Sequence, residues 1–167
     1  SSAASDVYKR QALGRVASLS LVAPAGLGSQ INMTFINGFI EADRTRALQD
    51  VLKFLVHDKS LIGRRMTDDV LRYKRLDGAQ AALQAVAAAC FPGGRQGDDL
   101  RPVRAGAQVP ATILWGEEDE ILPVTEADGL PDAITRHVFS GIGHMPQLEC
   151  ASDVNGIVET FLRQQDH

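Results

Sequence analysis

Two short apolar segments, each ending in glycine and then delivering one titratable side chain, constrain the fold of this chain more than any other feature. Residues 113–116 (ILWG) lead to Asp119, and residues 139–143 (FSGIG) lead to His144. Such segments are typical of parallel strands, and parallel sheets gather their reacting groups beyond the carboxyl ends of the strands. We therefore predict that Asp119 and His144 lie at one sheet edge, as an orienting carboxylate and a general base.

The chain between these two residues is long enough to connect two parallel strands. Asp119 and His144 are 25 positions apart, which leaves room for a crossover helix. Leu122 and Pro123 are the predicted start of that helix, because proline is tolerated at a first helical position. The two side chains would then be neighbours in space.

The remaining chain divides into segments that form the sheet and segments that form helices. Apolar runs predict strands at residues 16–23, 110–115 and 137–139. The long stretch between the first two strands has three or four helical patterns and no convincing strand. We predict an α/β protein in which residues 12–28 and 101–167 form the core and residues 29–100 form a helical cap. Ordinary flanking helices are the alternative, but a crossover usually needs only one helix.

The two ends of the chain differ in character. Residues 1–11 have no periodicity that would place them in a core, and we expect a non-native or disordered leader there. The C-terminal end predicts an amphipathic helix that covers one face of the sheet, with Ser152 as its N-cap. Its apolar face consists of Val154, Ile157, Val158, Phe161 and Leu162.

Composition limits the classes of partner. The 167 residues are 44% hydrophobic, which suits one domain with a sizeable core. The 17 basic and 21 acidic residues give a net charge of −4, and no basic cluster is longer than Arg64-Arg65, so nucleic acid is not a predicted partner. Neither a long apolar run nor a signal peptide is present, so we predict no membrane association and a cytoplasmic location. Cys90 and Cys150 are predicted to be reduced.

A nucleophile is missing from this set of chemical candidates. No Gly-x-Ser-x-Gly pentapeptide occurs in the sequence. Ser29 follows Gly28 but lacks the flanking glycines, while Ser18 and Ser20 lie inside a predicted strand. No Cys/His cluster has the spacing of a zinc site, so no metal is predicted.

Asp119 and His144 also have a structural interpretation. Asp119 lies among Glu117, Glu118 and Glu120 and could belong to a solvated acidic turn, and His144 could be a turn residue whose ring is satisfied. The catalytic interpretation is favoured because the two motifs end corresponding strands in the expected order.

Three further residues are candidates for substrate binding. The loop at residues 24–28 (PAGLG) follows the first predicted strand and therefore lies at a carboxyl edge, where Gly26 and Leu27 can line a pocket. Met145 directly follows the predicted base.

Several motifs resemble those of the α/β-hydrolase family. They are the acid motif Trp115-Gly116-x-x-Asp119-x-x-x-Pro123 and the base motif Gly141-x-Gly143-His144-Met145-Pro146-Gln147-Leu148-Glu149. Residues 16–28 are similar to the family's strand after the nucleophile helix, and the resemblance covers about residues 12–163. It implies the C-terminal part of an α/β-hydrolase fold, in which Asp119 holds His144 and a serine upstream of Val16 attacks an acyl carbonyl.

A narrower resemblance lies in the predicted cap. Residues 36–40 (INGFI) and 66–78 (MTDDVLRYKRLDG) resemble the hydrolase-like C-terminal domain of the dihydrolipoyllysine-residue acetyltransferase subunit of acetoin dehydrogenase complexes. This resemblance implies that an acetyl group passes from a lipoyl domain to coenzyme A. It implies a small acyl substrate, other subunits of a multienzyme complex as partners, and lipoate and coenzyme A as cofactors of the parent protein, with none bound by this segment.

The same resemblance implies that the chain is a C-terminal fragment without its serine elbow or lipoyl domain. Lys59 lies between helical patterns and not on the hairpin tip that presents a lipoylated lysine. We expect the isolated chain to have no turnover, and we expect one edge of the 16–23 strand to be unpaired, which favours aggregation. A cofactor-independent hydrolase of small esters or carbon–carbon bonds and a non-catalytic assembly module are the alternatives.

Overall fold

The computed structural model describes residues 16–100 and 109–165. In chain order, the strands and α-helices are β1 (Leu19–Val22), α1 (Met33–Glu41), α2 (Thr45–Leu52), α3 (Arg64–Lys74), α4 (Ala79–Cys90), β2 (Ala111–Gly116), β3 (Ile134–Phe139), α5 (Pro146–Glu149) and α6 (Ala151–Arg163). Short 3₁₀ turns occupy Lys53–Leu55, Lys59–Leu61, Pro92–Gly94 and Val124–Ala127. The predicted leader at residues 1–11 lies outside the described residues, as do residues 12–15, 101–108, 166 and 167 of the predicted core.

The three strands form one parallel sheet in the order β1-β2-β3. The central strand, β2, pairs with β1 through Ile113 opposite Leu21 and with β3 through Ile113 opposite Arg136. All six residues of β2 are buried, as expected for a parallel strand that is covered on both faces. The predicted strands are confirmed. Strand β3 begins at Ile134, three residues before the predicted start at residue 137, and the Ile134 side chain is buried in the core.

The predicted crossover helix after Leu122-Pro123 is wrong. In the described residues between β2 and β3, the only helical element is the 3₁₀ turn Val124–Ala127. Pro123 has extended backbone angles (φ −63°, ψ 139°) and does not begin a helix. Gly129 then adopts a positive φ of 75°, which a continuing right-handed helix cannot contain. The two strands are therefore joined by a loop.

The C-terminal helix is confirmed, but its start and its buried face differ from the prediction. Ser152 is not the N-cap, because α6 begins at Ala151 and its N-cap residue, Cys150, makes no side-chain capping bond. The preceding short helix α5 leads almost directly into α6, and the carbonyl of Cys150 accepts from the amide of Val154 at 3.1 Å. Phe161 is buried, whereas Leu162, one position further around the helix, is 47% exposed.

Among the described residues, four α-helices lie between β1 and β2, and we call residues 32–94, which begin with the N-cap of α1, the helical segment. The three helices that follow the predicted patterns are α2, α3 and α4, and α1 was not identified from periodicity. The segment has a core of its own, formed by Ala42, Leu48, Leu52, Val56, Ile62 and Leu71. None of the helices in the described part of the chain is long and apolar enough to cross a membrane. Both cysteines are free, as predicted.

Helix α1 is held at both ends by side chains. The Asn32 side chain accepts from the amide of Phe35 at 3.1 Å and caps the N-terminus. At the other end, the Lys74 ammonium donates to the carbonyls of Phe39 and Ala42 and lies 5.0 Å from the centre of the Phe39 ring. Burial lowers the pKa of Lys74 below its ordinary value. These contacts fix a short helix that has no buried residue of its own.

Candidate active site

Asp119 and His144 are in direct contact beyond the carboxyl ends of β2 and β3. His144 Nδ1 lies 2.8 Å from Asp119 Oδ2. The Asp119 side chain is fully buried, whereas that of His144 is 21% exposed. The structure therefore brings together the two residues that the strand–glycine pattern singled out, with the carboxylate inside and the imidazole at the surface.

The Asp119 carboxylate is fixed by three further hydrogen bonds. Its Oδ1 accepts from the amides of Ile121 at 2.7 Å and Leu122 at 3.0 Å. Its Oδ2 accepts from the indole Nε1 of Trp115 at 2.9 Å. Because both oxygens accept N–H groups, the remaining contact is one in which His144 Nδ1 donates. The other ring nitrogen, Nε2, then keeps its lone pair and can accept a proton.

The loop that carries His144 is packed tightly against the end of β2. A Cβ atom on Gly116 would lie 2.0 Å from the Gly143 carbonyl oxygen and 2.3 Å from that of Ile142. Only glycine therefore fits at position 116. The Ile142 carbonyl also accepts from the amide of Glu118 at 2.9 Å. We call residues 117–123, which carry Asp119, the acid loop and residues 140–145, which carry His144, the base loop. The two loops are thus joined by backbone contacts as well as by the side-chain pair.

The helical segment contacts the acid loop at two points. Asn32 donates from its backbone to Ile121 O at 3.0 Å and from its side chain to Glu120 O at 2.8 Å. The Lys59 ammonium forms an ion pair with Glu120 and donates to the carbonyls of Lys53 at 2.9 Å and Val56 at 2.8 Å. Glu117, Glu118 and Glu120 are all exposed, but the Glu120 carboxylate is held by this ion pair.

The helical segment also contacts the base loop, through Glu149. The Glu149 carboxylate accepts from the amides of His57 at 2.7 Å and Asp58 at 3.0 Å, and from the amide of Gly143 at 2.7 Å. The sequence analysis included Glu149 in the base motif but gave it no role. Its only sequence signal is its place five residues after His144, because its partners are backbone groups remote in sequence.

Two groups near this contact have shifted pKa values. The hydroxyl and amide of Ser60 donate to Asp58 at 2.6 and 3.0 Å and hold the pKa of that carboxyl below its usual 3.8. Burial raises the pKa of the Cys150 thiol, and the nearby charges of Asp153 and Glu149 raise it further. The Cys150 thiol is therefore a poor nucleophile at neutral pH.

The three predicted substrate-binding residues occupy different surroundings. Gly26, with a φ of 90°, bonds through its backbone to Gln96 and Leu100. Leu27 is 4% exposed, packs in the core beside the acid loop and borders a cleft of about 280 Å³. Met145 packs against the core of the helical segment. Their role in substrate binding stays a prediction. In the described ranges, no group of three or more His, Cys, Asp or Glu side chains has the arrangement of a metal site.

Comparison with known proteins identifies two groups of relatives. The dihydrolipoyllysine-residue acetyltransferase components of the acetoin cleaving systems of Cupriavidus necator and Pseudomonas putida are 39% and 43% identical over 148 and 150 residues. These alignments cover 89% and 90% of this chain but only 40% of each relative. A 2-hydroxymuconate semialdehyde hydrolase of Pseudomonas putida is 28% identical over 161 residues, which is 91% of this chain and 56% of that protein.

Solved structures share the fold at lower identity. A meta-cleavage product hydrolase from Pseudomonas fluorescens matches 95% of this chain and 60% of its own with a TM-score of 0.79 and 21% identity. A hydrolase from Rhodococcus, acting on 2-hydroxy-6-oxo-6-phenylhexa-2,4-dienoate, matches 97% of this chain and 60% of its own with a TM-score of 0.75 and 15% identity. No protein-family model matches the chain. The chain therefore has a partial α/β-hydrolase fold, and over most of its length its sequence resembles the acetyltransferase components of acetoin cleaving systems.

Proposed function

We propose that this chain supplies the acid and the base of a Ser–His–Asp triad in the acetyltransferase subunit of an acetoin dehydrogenase complex. The observation that carries the proposal is the 2.8 Å contact between His144 Nδ1 and the buried carboxylate of Asp119. The sequence resemblance to two such subunits supports the choice of reaction. The nucleophile is a serine outside these 167 residues.

The two residues divide the proton chemistry between them. His144 Nε2 takes the proton of the serine hydroxyl as its oxygen attacks the acetyl thioester, and returns that proton to the departing dihydrolipoyl sulfur. In the second half-reaction it takes the proton of the coenzyme A thiol as the sulfur attacks the acetyl-serine, and it returns that proton to the departing serine oxygen, which regenerates the free serine. Asp119 fixes the tautomer and ring orientation of His144 and stabilises the imidazolium that forms at each step.

In this scheme the acetyl-dihydrolipoyl group donates the acetyl group and coenzyme A accepts it. Lys59 is not suited to lipoylation, because its ammonium is bound to two carbonyls and Glu120 and it begins a 3₁₀ turn. We propose that residues 29–100 act as a cap over the reacting groups, since the helical segment contacts both the acid loop and the base loop. The other subunits of the complex are the proposed partners.

A cofactor-independent hydrolase of small esters or carbon–carbon bonds is the second candidate. The observation in its favour is the fold shared with the meta-cleavage product hydrolase, together with sequence similarity to a semialdehyde hydrolase. The same acid and base would then activate water in the final step. The two candidates differ in whether coenzyme A or water accepts the acyl group.

Replacing His144 in the full-length protein tests both candidates. For His144→Ala we expect acetyl transfer from acetyl-dihydrolipoamide to coenzyme A to fall by about a hundred- to ten-thousand-fold, the usual contribution of a positioned general base. The matched control is His137→Ala. His137 lies within β3 and borders a groove beside α6, and neither Asp119 nor His144 lines that groove. Hydrolysis of the same thioester without coenzyme A would favour the hydrolase candidate. Unchanged turnover of the complex would instead leave a non-catalytic assembly module.

A further inference from the structure

The Glu149 carboxylate joins the helical segment to the base loop by hydrogen bonds. It accepts three backbone N–H groups, two from the helical segment (His57 and Asp58) and one from the base loop (Gly143). Hydrogen bonds from amides to an ionised carboxylate are stronger than those between neutral groups. The residue directly after Gly143 is His144, so this carboxylate holds the backbone from which the imidazole projects.

The base loop is confined on both sides at the same point. On one side, Gly143 contacts the helical segment so closely that a Cβ atom would lie 2.7 Å from the His57 nitrogen and 2.8 Å from the Val56 carbonyl carbon. On the other side, the Gly143 carbonyl meets the backbone of Gly116 at the end of β2. Because β2 is a buried central strand, the position of the base loop depends on how firmly the helical segment is held against that loop.

Glu149 comes from an element that has little rigidity of its own. Helix α5 has four residues, and its N-cap makes no side-chain bond. Met145 and Leu148 pack against the core of the helical segment. Apolar contacts therefore place α5 on the segment, and Glu149 adds the directional bonds that reach back to the base loop.

We propose that Glu149 is a positioning residue whose carboxylate ties the helical segment to the base loop and thereby holds the His144 ring against Asp119. The consequence for turnover rests on the proposed function, but the effect on the ring does not. The three donors all require acceptors, so the carboxylate cannot be replaced by an amide of the same shape. In Glu149→Gln, the side-chain NH₂ group must face either Gly143 or the two amides of the helical segment.

Proton NMR of the chain tests this directly. Two hydrogen-bonded protons end on the same oxygen of Asp119: the Nδ1 proton of His144 and the indole proton of Trp115, the only tryptophan in the sequence. In Glu149→Gln we expect the downfield His144 signal to broaden or disappear while the Trp115 signal keeps its position. The control is Glu117→Gln, which removes the same charge from an exposed side chain beside the site and is expected to keep both signals.

Each other outcome overturns the proposal. If both signals persist in Glu149→Gln, the carboxylate does not position the ring. If both are lost, Glu149 is a general element of stability. If the wild-type chain lacks the His144 signal, there is no fixed pair for Glu149 to hold.

Kinetics of the full-length protein measure how the Glu149 contact affects turnover. We expect Glu149→Gln to lower kcat by about ten- to a hundred-fold, the usual effect of displacing a reacting group by a fraction of an ångström to one ångström. KM should stay nearly unchanged, because no proposed substrate contact is removed. Should His144→Ala prove fully active, the proposed function fails, while the NMR result for Glu149 remains to be judged by itself.

Discussion

Asp119 and His144 owe their positions to different kinds of contact. Asp119 accepts four N–H groups, and three of them come from its own loop or from the strand before it: Trp115, Ile121 and Leu122. A carboxylate bound in this way is fixed before His144 approaches it. Asp119 is therefore pre-organised by short-range contacts, whereas the position of His144 depends on packing between distant segments.

The glycine at the end of β2 carries the first prediction at the residue scale. In Gly116→Ala the new methyl group would meet the Gly143 carbonyl oxygen at 2.0 Å, so the base loop must move. We expect a loss of unfolding free energy of about 1–3 kcal/mol, the usual cost of overpacking. Urea unfolding of the chain measures it.

Gly156 provides the matched control, because a Cβ atom there meets nothing within 4 Å. It lies inside α6, where alanine favours the helix over glycine by about 0.5–1 kcal/mol. Gly156→Ala is therefore expected to leave the protein equally or slightly more stable. Equal destabilisation by both substitutions would show that close packing at Gly116 is not the cause.

Part of the site could be predicted from the sequence and part could not, for one physical reason. Asp119 and His144 follow apolar segments that end in glycine, which is a local pattern, and parallel pairing then puts both at one edge. Glu149 bonds to the amides of His57 and Asp58, which are 92 and 91 positions away. A backbone amide has no sequence signature, so a side chain that binds only amides leaves no pattern to find.

At the scale of elements, hydrophobic periodicity predicted those that bury a regular face. Helix α2 buries Leu48 and Leu52 at a spacing of four, and its pattern was clear. Helix α1 buries no residue completely, depends on Asn32 and Lys74 at its ends and was missed. Helix α4 also buries none, but its alanine-rich sequence indicated a helix. The predicted helix after Pro123 failed for the opposite reason, because a favourable start signal is not enough when Gly129 follows in a left-handed conformation.

The 3₁₀ turn Lys59–Leu61 carries a prediction about pH. Asp58 caps this turn, and the bonds from Ser60 hold its pKa below 3.8. A carboxyl group whose pKa is lowered on folding stabilises the protein above its unfolded pKa, and this contribution is lost as the pH falls through the folded pKa. As the pH is lowered from about 5, the wild-type chain loses the stabilisation that comes from the ionised Asp58 carboxylate. In Asp58→Asn we expect the free energy of unfolding to fall less over the same pH range.

Urea unfolding midpoints at a series of pH values measure this difference. Asp132→Asn is the control, because Asp132 is an exposed carboxyl group in the turn before β3. Its curve should run parallel to that of the wild type. If Asp58→Asn also runs parallel, the bonds from Ser60 do not couple folding to the ionisation of Asp58.

At the scale of the whole molecule, contacts with the helical segment hold the loops at the carboxyl ends of the strands, whereas the outer edges of the sheet are open. The helical segment is anchored to the acid and base loops through Asn32, Lys59 and Glu149. The outer edges of β1 and of β3 have no partner strand among the described residues. On β1, Leu19 and Ala23 donate their amides to the carbonyls of Pro110 and Leu114. The alternate residues Ser20 and Val22 therefore direct their amides to the open edge.

This open edge leads to a prediction about self-association. Unpaired backbone groups on an edge strand favour pairing with another chain, and a lysine on the edge opposes it. We expect the weight-average mass of the wild-type chain to rise with concentration in sedimentation equilibrium. Ser20→Lys, at an exposed position of β1, is expected to reduce that rise.

Asn155→Lys is the control, because it adds the same charge at an exposed position of α6 and should not reduce the rise in mass. An equal effect of both lysines would attribute the change to net charge, and a monomeric wild type would mean that the β1 edge is covered.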